Sequence, residues 1–441
     1  MPASSRAGLI RNAARRVTCR AGPAAVPLAA LLAFALAAGL YRYAPGAYSA
    51  LLRLFGVPEQ PFGYPFLDTQ FVLAQIDCWR RGIDVYVVNP CDALGRLHDY
   101  SPLWLRLPLP TGLGWSDRFG LLVDLGFLLS LFFLPRPATR LDGALLLAAT
   151  LSQVTAFGLE RGNTDLLIFA LAVAAGRLWL RAPALRAAGY AVVFGAGLLK
   201  FFPLVLFVVA LRERLRDMLA IALAGCAGLV GFVLAYHAEL RKLAPNIAGP
   251  NYFGDMFGAT ILPHGAAIAA SVLLGWAPAW LPGALLALLC AASLGGAARL
   301  AGDAGFAGAD ARLLPRTRLF LVMGALLVCG CFFAHASIRY RAVFLLFALP
   351  GLLALGRGMP AGPARCAVLG AAAAALFLMW SMRFGLAGWL PQQVAWWWAV
   401  SVLAGVLLRF AARAAAMREL TAWRRLQLNA RDRTASRGGA N

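Results

Sequence analysis

The sequence predicts an all-α polytopic membrane protein, and three observations predict it. Of 441 residues, 61% are hydrophobic and only 14% charged, a balance outside that of soluble globular or disordered chains. Apolar runs close to the ~20 residues a helix needs to cross a bilayer recur along the whole chain. The basic residues gather at alternate ends of those runs, as the positive-inside rule requires.

Taken in order, the runs predict spans over 25–40, 115–134, 143–159, 165–180, 218–236, 281–300, 319–334, 340–355, 366–382 and 394–410, about ten crossings in all. The amino-terminal stretch 1–24, with Arg6, Arg11, Arg15, Arg16 and Arg20, is assigned to the cytoplasm. An even number of crossings then returns the basic tail 411–441 to the same side. Topology absorbs most of the net charge of +22, so no nucleic-acid partner is expected. The first run is read as an uncleaved span, although Ala47-Tyr-Ser-Ala50 resembles a signal-peptide cleavage site.

The stretch 187–211 does not fit as a simple span. Arg177, Arg181 and Arg186 precede it, Arg212, Arg214 and Arg216 follow it, and both flanks belong in the cytoplasm. A hairpin of two half-helices satisfies them, with its apex at Gly197-Leu-Leu-Lys-Phe-Phe-Pro203, where proline breaks the helix. One long kinked span is the alternative. With no repeat or soluble domain, 1–441 reads as one integral membrane domain.

Most of the outer polar sequence lies in a long first loop, 41–116, and loops of that length are usually functional. Within it Pro65 opens a helical pattern from Phe66 to Arg81 that stops at Gly82, read as an amphipathic helix lying on the membrane. Asp68 sits in its first turn, with Val72, Gln75 and Trp79 following on the same face. The partial positive charge of the helix amino terminus favours the ionised carboxylate, which can accept a proton from a hydroxyl. The plainer reading is that Asp68 only complements the helix dipole. Cys78 and Cys91 are the only cysteines on the outer side and are expected to form a disulfide if that side is oxidising.

Asp68, Gly82-Ile-Asp-Val-Tyr86, Tyr100-Ser-Pro-Leu103, Gly162-Asn-Thr-Asp-Leu166 and Gly197-Leu-Leu-Lys-Phe-Phe-Pro203 follow one another in an order that resembles glycosyltransferase family 87 of the GT-C superfamily. The likeness spans 64–214, and more loosely 335–350, where Ile338-Arg-Tyr-Arg341 is similar to the family's basic and aromatic segment before a late span. The family more often shows two prolines where Ser101-Pro102 stands, and a neutral residue where Asp165 stands. The resemblance implies a GT-C-type fold and an inverting hexosyl transfer, often of mannose, on the outer face of a bacterial inner membrane. The donor it implies is a polyprenyl-phosphate sugar and the acceptor a lipid or glycan. Asp68 matches the family's first-loop catalytic aspartate. No cofactor and no metal is expected.

Charge builds on the departing lipid phosphate, so a fixed cation beside it lowers the barrier. Lys200 is the leading candidate, with snorkelling or pairing to Asp124 as the alternative. Arg339, Arg341 and His335 are expected at the same phosphate, or else as interfacial anchors. Asn163 and Asp165, with Glu160 and Arg161, form a polar turn that either contacts sugar hydroxyls or solvates itself. Tyr86, Tyr100, Asn251 and Tyr252 are candidate sugar or acceptor contacts, the last two in a second outer loop, 237–264. A transporter or flippase of lipid-linked sugars is the competing function, since broken helices and buried charges suit it equally. The lopsided outer loop and the lack of repeated halves speak against it.

Overall fold

The computed structural model describes residues 22, 24–57, 65–247, 249, 252–253, 256–334 and 336–438. Among them the regular structure is helical apart from a two-residue antiparallel pairing of Met256 with Ile338 and Phe257 with Ser337. Among the described residues seven helices are long and apolar enough to cross a membrane: Ala25–Tyr43, Leu215–Ala235, Leu281–Gly302, Pro315–Ala334, Arg339–Gly358, Pro363–Trp380 and Phe384–Met417. An eighth is added if Arg140–Thr150 and Gln153–Arg161, bent by 42° at a short break, form one span. The fold is that of an all-α, multi-pass membrane protein.

Two of the runs expected to cross fall short of that test. The helix Thr164–Trp179 has 16 residues; at about 1.5 Å per residue it is several ångströms shorter than a ~30 Å hydrocarbon layer. Leu113–Ser130 is long enough but carries Asp117, Arg118 and Asp124. Ten crossings is therefore more than length and composition show.

Pro315–Ala334 and the segment Arg339–Gly358 are mostly buried and form the centre, with Pro363–Trp380 and Trp389–Gly438 packed around them. Ala25–Tyr43, Leu215–Ala235 and Leu281–Gly302 stand at the periphery. Their outer faces expose Leu32, Leu36, Leu223, Leu234, Leu288 and Leu294. A helix apolar on its exposed face is at home in lipid and not in water.

Around 187–211 the chain runs as a helix, Pro183–Lys200, reverses at Phe201 with φ 35°, and returns as a 3-10 stretch, Phe202–Arg212. The arms lie side by side: Arg186 near the start meets Glu213 just after the end at 3.0 Å. At the tip a Cβ on Gly197 would stand 2.3 Å from the Leu204 side chain, so only glycine lets the arms close. The carbonyl of Leu199 accepts Trp104 Nε1–H at 3.1 Å, which fastens the tip to the long first loop.

That loop holds the first correction. The helix Leu67–Arg80 does not lie on a membrane surface with one face in water: every residue from Leu67 to Ile76 is buried, as is Cys78. It is plugged into the protein. Cys78 and Cys91 are joined by a disulfide with Cα atoms 5.9 Å apart, closing the turn that follows it.

Candidate active site

The site begins with backbone. Phe66 adopts φ 67°, and the amino end of the Leu67–Arg80 helix docks on the turn after Gln153–Glu160. The Phe66 amide donates to the Glu160 carbonyl at 2.7 Å and the Asp68 amide to the Arg161 carbonyl at 3.0 Å. Amides that a helix leaves without an internal partner are thus satisfied by another turn. Thr69 Oγ1 donates to the Gly162 carbonyl at 2.7 Å. Gly162 has φ 55°, and a Cβ there would sit 2.4 Å from that hydroxyl.

This docking carries the Asp68 carboxylate, itself buried, into a set of donors. Arg161 grips Oδ1 with Nε at 3.0 Å and Nη2 at 2.9 Å. Arg96 Nη1 stands 3.7 Å from the same oxygen, positioned by Asp92 and by the Leu67 carbonyl. Asn163 Nδ2 donates to Oδ2 at 2.5 Å. A carboxylate oxygen has two lone pairs, so Oδ2 retains room for one more donor.

Asn163 also caps the Thr164–Trp179 helix, its Oδ1 accepting the Asp165 amide at 2.7 Å. Asp165 then receives Lys200 Nζ at 2.6 Å on Oδ1 and Arg341 Nε at 3.2 Å on Oδ2. Lys200 lies over the Tyr100 ring at 4.8 Å and Arg341 over Phe202 at 4.9 Å. Arg341 also donates to Ser337 Oγ. Two cations share one carboxylate, which leaves the group positive.

The candidate residues sort accordingly. Asp68, Asn163, Asp165, Lys200, Tyr100 and Arg341 come together. Asp165, expected at the sugar, accepts one cation on each carboxylate oxygen and so anchors Lys200 and Arg341. Lys200 neither snorkels nor reaches Asp124; its partner is Asp165. Asp124 is buried with neither carboxylate oxygen hydrogen-bonded among the described residues. Arg339 parts from Arg341, donating to Gln392 at 2.5 Å, which in turn donates to the Ser381 carbonyl at 2.5 Å.

Tyr86 stands apart from Asp68: it sits edge-on to Trp79 and His98 among Cys78, Val85, Leu105 and Leu243, beyond the far end of the helix that begins beside Asp68. Tyr252 stacks on His264 at 4.9 Å and its carbonyl accepts Trp389 Nε1–H at 2.6 Å. Asn251 and His335 lie outside the described residues.

Three residues near Asp68 escaped the sequence reading or were undervalued by it. Arg161 was weighed as turn solvation and proves to be the main partner of Asp68. Arg96 reaches the same carboxylate. Asp99, beside Tyr100, has one carboxylate oxygen buried without a hydrogen-bond partner among the described residues. Burial pushes its carboxyl up to about 6, against the pull of Lys200 and Arg96. Its neighbour His98 is pulled down to about 4 by burial, with Gln75 Oε1 2.5 Å from Nδ1. The adjacency of Asp99 to the Tyr100-Ser-Pro motif was the one available signal.

An apolar cavity of about 540 Å³ is walled by Phe34, Leu51, Phe55 and Leu121 and also by Phe66 and Glu160, the two residues whose backbone bond docks the Asp68 helix. Among the described residues no group of His, Cys, Asp or Glu is arranged to hold a metal ion. The class defined so far is a multi-pass helical membrane protein with a buried, charged cluster and an apolar cavity. Comparison of the chain with protein-family models, curated proteins and solved structures finds no match.

Proposed function

We propose that the chain is an inverting membrane hexosyltransferase of GT-C type, taking a sugar such as mannose from a polyprenyl-phosphate donor to a lipid or glycan acceptor on the outer face. In this reading the helices Leu113–Ser130 and Thr164–Trp179 also cross, completing ten spans with both termini in the cytoplasm. The observation that carries the reading is the shared turn 161–165: it holds Asp68 through Arg161 and Asn163, and Lys200 and Arg341 through Asp165. A carboxylate and a positive pocket are therefore set side by side by one rigid element.

The chemistry follows from that pairing. The acceptor oxygen attacks the anomeric carbon as its proton passes to Asp68 Oδ2. The bond from that carbon to phosphate oxygen breaks, and the electron pair leaves with polyprenyl phosphate. Lys200 and Arg341 are already fixed where that charge develops, so little reorganisation is needed. Arg161 and Asn163 keep Asp68 aimed. The cavity walled in part by Phe66 offers an apolar bed for an isoprenoid chain.

The deciding experiment reconstitutes the full chain in liposomes, supplies polyprenyl-phosphate mannose with a membrane lipid extract as acceptor, and measures released polyprenyl phosphate. Asp68→Asn is expected to lower the rate by about 100-fold or more, the usual loss with a general base. Turnover unchanged in Asp68→Asn removes the base. Donor crossing the bilayer without cleavage supports the flippase instead.

A further inference from the structure

The opposite end of the bundle contains a second cavity. The Thr164–Trp179 helix runs from Asp165 in the site to Trp179 and Leu180 at its far end. There a cavity of about 350 Å³ opens between the end of the Phe202–Arg212 stretch, the first turns of Pro315–Ala334 and the long last helix. Arg318, Leu319 and Val322 line it from one helix, and Phe410, Arg413 and Met417 from the other. Val322 follows Arg318 by four residues and Leu319 by three, and Phe410, Arg413 and Met417 are spaced by three and four, so each helix turns a single face to it. Leu319, Val322 and Phe410 lie toward the middle of the spans, while the arginines stand at the mouth.

The charges at that mouth do not balance. Glu213 is shared by Arg186 at 3.0 Å and Arg212 at 3.2 Å. Asp310 is shared by Arg318 at 3.3 Å and Arg413 at 3.4 Å. Arg214 lines the cavity too and forms no ion pair among the described residues. Each carboxylate is thus divided between two guanidinium groups, and the mouth keeps an excess of positive charge above an apolar wall.

We propose that this cavity binds an anionic phospholipid, with its phosphate between Arg214 and Arg413 and an acyl chain along Leu319, Val322 and Phe410, while Arg318 is held by the carbonyls of Asp310, Ala311 and Leu313. Guanidinium groups match phosphate oxygens in pairs. Basic pockets between spans hold lipid headgroups by the same attraction. A free anion would not fill the apolar depth of the cavity, and a zwitterionic lipid would return positive charge to the mouth. This inference does not depend on the hexosyltransferase reading.

The test uses the full chain in detergent, titrated with phosphatidylglycerol or phosphatidylcholine, with bound lipid counted by native mass spectrometry and thermal midpoints recorded alongside. Phosphatidylglycerol is expected to bind about tenfold more tightly than phosphatidylcholine. The double variant Arg214→Gln/Arg413→Gln should erase most of that difference, and Arg214→Lys/Arg413→Lys should keep most of it. Equal affinity for the two lipids in the wild-type chain overturns the proposal, whether or not the variants fold. So does phosphatidylglycerol binding unaltered by the glutamine pair, or a midpoint raised as much by inorganic phosphate alone.

Discussion

Asn163 Nδ2 lies 2.5 Å from Asp68 Oδ2. The other end of the same side chain, Oδ1, accepts the amide of Asp165 at 2.7 Å. One amide group therefore fixes a buried carboxylate and starts the helix that carries the anchor for two cations.

Substitution of Asn163 separates its two duties. Asn163→Ala loses the helix cap and a hydrogen bond to a buried charge, together about 2–4 kcal/mol of stability. Asn163→Asp can still cap the helix but cannot donate to Asp68, and sets a like charge beside it. It should keep more of the thermal midpoint than the alanine variant yet lose turnover at least as severely. Parallel melting and rate measurements check the split; equal behaviour in both assays counts against it.

Asp165 is the costlier half of its ion pair to remove. Asp165→Asn strands both Lys200 and Arg341 in a buried setting, whereas Lys200→Met leaves Asp165 with Arg341. Breaking one side of a buried pair costs about 3–5 kcal/mol. The asparagine variant should sit at the upper end and the methionine variant below it. The double variant should cost less than the two singles added together, because fewer charges are left unpaired. A double-mutant cycle of unfolding free energies tests the order.

Asp99 and His98 are adjacent and oppose each other in pH dependence. The Asp99 carboxyl rises from 3.8 to about 6, so the folded chain holds a proton that the unfolded chain has lost, and stability falls as pH rises through that window. His98 drops from 6.5 to about 4, so the unfolded chain takes a proton that the folded one excludes, and stability rises with pH across that range. The wild-type profile should be shallow because these slopes offset. Asp99→Asn should expose the histidine slope, gaining up to ~3 kcal/mol between pH 4 and 6.5. His98→Gln should show the reverse trend. Thermal midpoints across that range decide, and flat profiles in both variants contradict the assignment.

Gly162→Ala tests the docking itself. The new methyl would meet Thr69 Oγ1 at 2.4 Å on a backbone with φ 55°, so the 161–165 turn must pull away from Asp68. A loss of about 1–3 kcal/mol is expected from strain at such a position, together with a fall in turnover. Thr69→Ser/Gly162→Ala does not relieve the clash, because the hydroxyl remains. Thr69→Ala/Gly162→Ala removes that contact, leaves the Phe66 ring at 2.9 Å from the new methyl, and should recover only part of the loss.

Much of the framework could be read along the chain. Apolar runs marked the seven helices long enough to cross a membrane because burial in lipid acts on each helix separately. Pro65 and Gly82 bracketed the helix bearing Asp68 because its start and stop are local backbone matters. The arginines flanking 187–211 required the chain to return to its starting side, and Gly197 and Phe201 supply the turn.

The partners of the charged groups could not be read that way. Arg161 stands 93 residues from Asp68, and Arg341 stands 176 residues from Asp165. Nothing in local periodicity links such residues. The same limit explains why Tyr86, in a suggestive motif, stands apart from Asp68, and why the Asp68 helix is embedded and not superficial. Composition and hydropathy determined that this chain is a helical membrane protein with an acidic residue at the head of a loop helix. Only the tertiary structure decided which cations meet which carboxylates, because a buried charge is stabilised by whatever side chain the fold brings within about 3 Å, however distant in sequence.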